Sequence, residues 1–157
     1  MNDRKDIFSS RRQQLIPHDD WKTILIDYYT GAYGPTLRVD IKGIDGLVRL
    51  NDLFVKLANS GLQNANIQQI GRVKFSGFES IEMTLWPHRK EPRKLVELVQ
   101  AGDGGLAFHW TRHSEGWKEW AEMVDALKRP GHQYLTGKDQ DDAIIEISFM
   151  EDPAPSP

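Results

Sequence analysis

The clearest periodicity in the chain is apolar spacing by threes and fours over residues 46 to 61, GLVRLNDLFVKLANSG. There Leu47, Leu50, Leu53, Phe54 and Leu57 fall on one side of a helix. Asp45 stands where a cap would start it, and Gly61 where a left-handed residue would end it. A second such run covers residues 116 to 131, GWKEWAEMVDALKRPG. Its stripe is Trp117, Trp120, Val124 and Leu127, with Met123 beside it, Ser114 as the expected N-cap and Gly131 as the end. Elsewhere the period falls to two. TLRVDI from Thr36, IEMTLW from Ile81, LAFHWTR from Leu106, HQYLT from His132 and AIIEISF from Ala143 read as strands. Residues 67 to 86 read as strands around Gly71 and Gly77. WKTILIDYY, residues 21 to 29, fits two patterns. Trp21, Ile24, Leu25, Tyr28 and Tyr29 would share a helical face capped by Asp19 or Asp20. Yet Thr, Ile and Tyr favour strands, and TGAYGP supplies a turn before TLRVDI, so a hairpin is preferred.

The two helical runs align. Leu47 faces Trp117, Leu50 faces Trp120, Leu53 faces Met123, Phe54 faces Val124 and Leu57 faces Leu127. Each run follows an apolar strand, and each precedes a similar pentad, IEMTL or IEISF. This predicts two pseudo-repeated β-β-α-β-β halves, about 21–86 and 93–150, joined by the basic, proline-containing segment 87–92. The fold class expected is α+β: a mostly antiparallel sheet with two main helices on one face. Residues 19–150 form one domain in this reading. Residues 1–18 read as a flexible N-terminal segment, and 151–157, EDPAPSP, as a disordered tail.

Composition narrows the chemistry. The chain of 157 residues has no Cys, which removes disulfide scaffolds, Cys-ligated zinc, iron–sulfur clusters and thiol catalysis. A net charge of -3 gives no broad attraction to nucleic acid or to an anionic membrane, so neither is an expected partner. No stretch reaches the ~20 apolar residues of a membrane span, and no secretory signal opens the sequence. A soluble cytoplasmic protein is expected, with no metal and no cofactor.

The densest run of capable side chains is RPGHQYLTGKDQDDAIIEISF, residues 129 to 149. Asp139, Asp141 and Asp142 fail as a calcium loop, because Ile144 and Met150 occupy the positions that need Gly and Glu. A polar turn between strands is the simpler reading. His109 and His113 are four apart but span a strand end and a loop. His132 with Glu146 could be an acid–base pair if the strands place them together. No GxSxG, P-loop or GxGxxG occurs. Arg89, Lys90, Arg93 and Lys94 lie near Trp86, but no aromatic stripe continues as single-strand binding requires. Tyr28, Tyr29 and Tyr33 cluster near the first turn and, if exposed, could anchor a protein partner.

GHQYL, Gly131 to Leu135, followed by DDAIIEIS, Asp141 to Ser148, resembles the C-terminal signature of small bacterial proteins of unassigned function. The resemblance implies that His132, Gln133, Tyr134, Asp141 and Asp142 serve a site or a turn in that family. At the level of class only, the chain is similar to immunity proteins of bacterial toxin systems, in size, acidity and lack of catalytic motifs. The expectation is a non-catalytic protein-binding module, an immunity or accessory factor, with a partner such as a toxin. Its candidate ligand or partner site is His109, His132, Gln133, Tyr134, Asp141, Asp142 and Glu146. The alternative is a small-ligand binder or hydrolase using His132, Tyr134, Asp141 and Glu146.

Overall fold

The computed structural model describes residues 23–100, 102, 104–135 and 140–151. The expected segment 1–18 and the expected tail 151–157, apart from Glu151, lie outside them, as do Asp19, Asp20, Trp21 and Asp139.

The ambiguous N-terminal stretch is a strand, β1 (Ile24–Gly31), paired antiparallel with β2 (Gly34–Ile41). The turn between them is Ala32 and Tyr33, with Gly34 at φ 108, a conformation that glycine reaches without strain. Helix α1 (Ile44–Ala58) buries Leu47, Leu50, Leu53, Phe54 and Leu57, the stripe that the spacing predicts. It starts earlier than expected. Gly43 occupies the N-cap without a side-chain bond, and Asp45 lies in the first turn. Short β3 (Asn64–Asn66) leads into a 3-10 turn, Ile67–Ile70, capped by Asn66, and then β4 (Val73–Ser76) and β5 (Ser80–Leu85) follow. The second half holds β6 (Val96–Gln100), β7 (Leu106–Arg112), α2 (Ser114–Asp125), β8 (Gly131–Leu135) and β9 (Ile144–Phe149). His113, not Ser114, caps α2: its Nδ1 accepts from Gly116 N–H at 3.0 Å.

The class is α+β, and the strands divide between two sheets rather than one. One sheet has the order β4-β1-β2-β9-β8, the other β3-β5-β7-β6. Both sheets are mixed, with antiparallel pairs in the majority: β1–β2, β8–β9, β3–β5 and β6–β7 are antiparallel, while β2–β9, β5–β7 and β1–β4 are parallel. The halves expected from the sequence are not separate units. The closing strand of each, β9 or β5, lies in the sheet that the other half's hairpin begins. The 3-10 turn and β4 have no counterpart in the second half. Sequence patterning misses this division because the alternation of a strand names its faces and not its neighbour.

One contiguous apolar core joins both sheets and both helices. Phe54 of α1 meets Trp110, Trp117 and Trp120, with ring centroids 5.3–6.4 Å apart. Leu50 and Trp120, equivalent in the helix alignment, are both fully buried. Asn51 Nδ2 donates to Ala121 O at 2.6 Å, and Ser114 Oγ donates to Ala58 O, so polar bonds also tie the helices together. No helix among the described residues is long and apolar enough to cross a membrane.

Candidate functional site

Alternation along β2 sends Leu37, Val39 and Ile41 into the core and Thr36, Arg38 and Asp40 to the opposite face. Along β9, Ile145, Ile147 and Phe149 enter the core, while Glu146 and Ser148 share the face of Arg38 and Asp40. Register fixes the rows on that face. Asp27, Arg38, Glu146 and Tyr134 form one row; Leu25, Asp40, Ser148 and His132 form the next. The polar members of the two central strands are buried there: Arg38 is 8% exposed, Asp40 8%, Glu146 9% and Ser148 0%.

Buried charges persist only when partnered. Arg38 Nη2 donates to Ser148 Oγ at 3.1 Å, and its Nε lies 4.0 Å from Glu146 Oε2. Tyr29 OH donates to Glu146 Oε1 at 3.3 Å. Ser148 Oγ donates to Glu151 Oε1 at 2.9 Å, while Glu151 Oε2 meets His132 Nδ1 at 3.0 Å. Lys42 Nζ bonds Asp40 Oδ2 at 3.3 Å and Glu151 O at 3.1 Å. Glu151 reaches this face because Met150 adopts φ 55, with its N–H bonded to Ile41 O.

Burial, then the charge of Glu146 and its hydrogen bond, pushes the Tyr29 phenol above its ordinary value. Burial, Glu146 and Tyr33 do the same for Tyr134. Both phenols therefore stay protonated donors. Burial would raise Glu151, but hydrogen bonds from His132 and Ser148 outweigh it and hold that carboxyl below its ordinary value.

Above the network lies an aromatic group from three separate segments. Tyr29 is 40% exposed, Tyr33 74% and Tyr134 37%. The Tyr134 ring meets Tyr33 edge-on at 6.0 Å and His132 at 5.3 Å. Four carboxylates, Asp27, Asp40, Glu146 and Glu151, share this face with the guanidinium of Arg38 and the ammonium of Lys42, and Lys74 sits farther out, beside Leu25. The face thus offers phenol edges and hydroxyls over a carboxylate-rich floor. One donor atom each from His132, Glu146 and Glu151 also lies within 4.8 Å of the others.

The expected site residues therefore divide. His132, Tyr134 and Glu146 come together with Tyr29 and Tyr33. Tyr28 faces the other way, its ring 5.0 Å from Phe108. Gln133 pairs in register with core residue Ile147, and its amide donates to Met123 O at 3.4 Å. His109 is exposed on the second sheet between Glu82 and Glu97. Asp141 Oδ1 accepts from Leu95 N–H at 2.6 Å and Val96 N–H at 3.1 Å; Asp142 Oδ2 accepts from Leu98 N–H at 2.8 Å. These two aspartates satisfy the edge amides of β6, a structural use of the polar turn. Arg38, Asp40, Ser148 and Glu151 escape the sequence reading. Alternation in TLRVDI does place Arg38 and Asp40 on one face, but nothing local tells that β9 will bury them.

In the basic segment Arg89, Lys90 and Arg93 are exposed. Trp86 Nε1 donates to Lys90 O at 3.0 Å, and Lys94 pairs with Asp142 at 3.1 Å. Glu91 holds Arg112 through Nε at 2.8 Å and Nη2 at 2.5 Å, and Arg112 also bonds Glu119 at 2.9 Å. A Cβ on Gly116 would collide with this pair.

No protein-family model, curated protein or solved structure matches the chain.

Proposed function

We propose that the protein is a non-catalytic binding module, an immunity or accessory factor of the bacterial cytoplasm, whose five-stranded sheet docks a basic protein partner. The observation that carries this reading is the convergence of Tyr29, Tyr33 and Tyr134 on one exposed face above Glu146. Tyrosines supply large contact area with little entropy lost, and interface hot spots are rich in them. The carboxylates beneath select a partner that presents Lys or Arg, which also gains from the ring faces. The network under the tyrosines holds the floor in one arrangement before the partner arrives, so less ordering is left to association.

The alternative, a ligand binder or hydrolase built on His132, Tyr134, Asp141 and Glu146, loses one of its four members, because Asp141 is spent on the β6 amides. The test is affinity capture with the full chain, followed by reconstitution of each captured protein. A basic partner whose binding weakens by about 2 kcal/mol or more on Tyr33→Ala or Tyr134→Ala supports the proposal. A partner indifferent to both substitutions overturns the assignment of this face.

A further inference from the structure

We propose that His132, Glu146 and Glu151 form a binding site for a first-row divalent cation of the zinc class. One imidazole nitrogen and two carboxylate oxygens come from β8, β9 and the turn after it, and their donor atoms lie within 4.8 Å of one another. Zinc holds nitrogen and oxygen ligands at about 2.0–2.2 Å, which places neighbouring donors roughly 3.4 Å apart around a tetrahedral ion. His132 Nδ1 and Glu151 Oε2 are already at 3.0 Å. The other donor pairs lie no more than 4.8 Å apart, and the His132 and Glu151 side chains, 44% and 28% exposed, are free to adjust around an ion.

The hydrogen bonds behind the donors carry the argument beyond proximity. Each carboxylate has one oxygen held by a hydroxyl: Tyr29 OH on Glu146 Oε1, and the fully buried Ser148 Oγ on Glu151 Oε1. Oε2 of each faces the site: that of Glu151 meets His132 Nδ1, where the ion would replace the shared proton, and that of Glu146 is only weakly engaged by Arg38 Nε at 4.0 Å. Ligand-orienting bonds of this kind are the usual support of a metal site. Asp40, 8% exposed and in register with Ser148 on the same face, keeps a buried Oδ1 with no hydrogen-bond partner. Arg38 borders the site, with its Nη2 bonded to Ser148 Oγ and its Nε 4.0 Å from Glu146 Oε2. The nitrogen donor sets the class, since magnesium and calcium take oxygen ligands and imidazole favours zinc and its neighbours. Three protein ligands leave a fourth position open to solvent or to a partner's side chain.

The inference is independent of the partner-binding reading, because the ion is measured on the chain alone. The experiment is calorimetric titration of the EDTA-treated full chain with zinc chloride, and separately with magnesium chloride. One saturable zinc site is expected, with no comparable magnesium binding. His132→Gln and Glu151→Gln should each weaken it at least about tenfold, and Ser148→Ala by roughly 10–100-fold, the range for loss of a ligand-orienting bond. His109→Gln, on the other sheet, should leave it unchanged. Ser148 is buried, so the exposed His132 variant decides if Ser148→Ala unfolds. Absence of saturable zinc binding, or binding that survives His132→Gln at full strength, overturns the proposal.

Discussion

Glu146 beside Arg38 and Glu82 beside His109 occupy equivalent places in two sheets that use the same scheme of neighbours. In each, a strand that follows a helix, β9 or β5, runs parallel to the second strand of a hairpin, β2 or β7. Ile145, Ile147 and Phe149 stand beside Leu37, Val39 and Ile41; Ile81, Met83 and Leu85 stand beside Phe108, Trp110 and Arg112. The first two core pairs are therefore alike in kind, the third departs at Arg112, and the outer rows differ. Glu82, His109 and Glu97 are exposed, whereas Arg38 and Glu146 are buried. Burying that row is not a demand of the fold, since the second sheet stands without it. The difference teaches that the ionic floor of the first sheet is an added feature, and it is there that the tyrosines, His132 and Glu151 gather.

The sharpest way to break this comparison is paired substitution. Arg38→Met should strand the buried Glu146 and cost about 3–5 kcal/mol in denaturant unfolding, whereas His109→Met should change stability by no more than about 0.5 kcal/mol. Equal effects would show that the two outer faces are energetically alike. The core rows should instead respond in parallel. Trp120→Ala and Leu50→Ala, at aligned and fully buried positions, should cost about 3–5 and 2–5 kcal/mol respectively.

The strand-to-helix junctions sharpen the contrast further. Before α2, burial works to raise Glu91, but the hydrogen bonds and charge of Arg112, with His113 adding to them, outweigh it and hold the carboxyl below its ordinary value. A depressed carboxyl stabilises fully above the ordinary glutamate range, and that stability is lost as pH falls through the folded value. Melting temperature followed from neutral to acid pH should thus drop more steeply for the native chain than for Glu91→Gln, and the gap between them should narrow in acid. His113→Ala, which removes the α2 cap, should cost about 1 kcal/mol. Gly43→Ser, at the uncapped start of α1 where the backbone is already extended, should add a few tenths of a kcal/mol.

Local chemistry made the helices legible. The stripes of Leu50 and Trp120 follow from spacing alone, and the turn around Gly34 follows from TGAYGP. The boundary at Gly43 was not legible, because Asp45 satisfies the same rule two residues later. Parallel partners were not legible either, since β2 and β9 are separated by most of the chain. The candidate site was half visible for the same reason. His132, Tyr134 and Glu146 draw notice as residue types, whereas Ser148 acquires its role only from Arg38 and Glu151. Glu151 itself lies in a Pro-rich ending that reads as tail, and only the left-handed turn at Met150 brings it back.

The place of β9 bears on how the protein is made. This strand is made long after β2, yet it lies inside the first sheet, between β2 and β8. During synthesis, the hairpin β1–β2 emerges before β9 and waits with one edge of β2 unpaired until Ile144–Phe149 is available. A nascent chain stalled before Ile144 presents that edge to any neighbour, so the N-terminal half cannot mature ahead of the C-terminal half. The sheet that bears the candidate site is therefore complete only once β9 has been made.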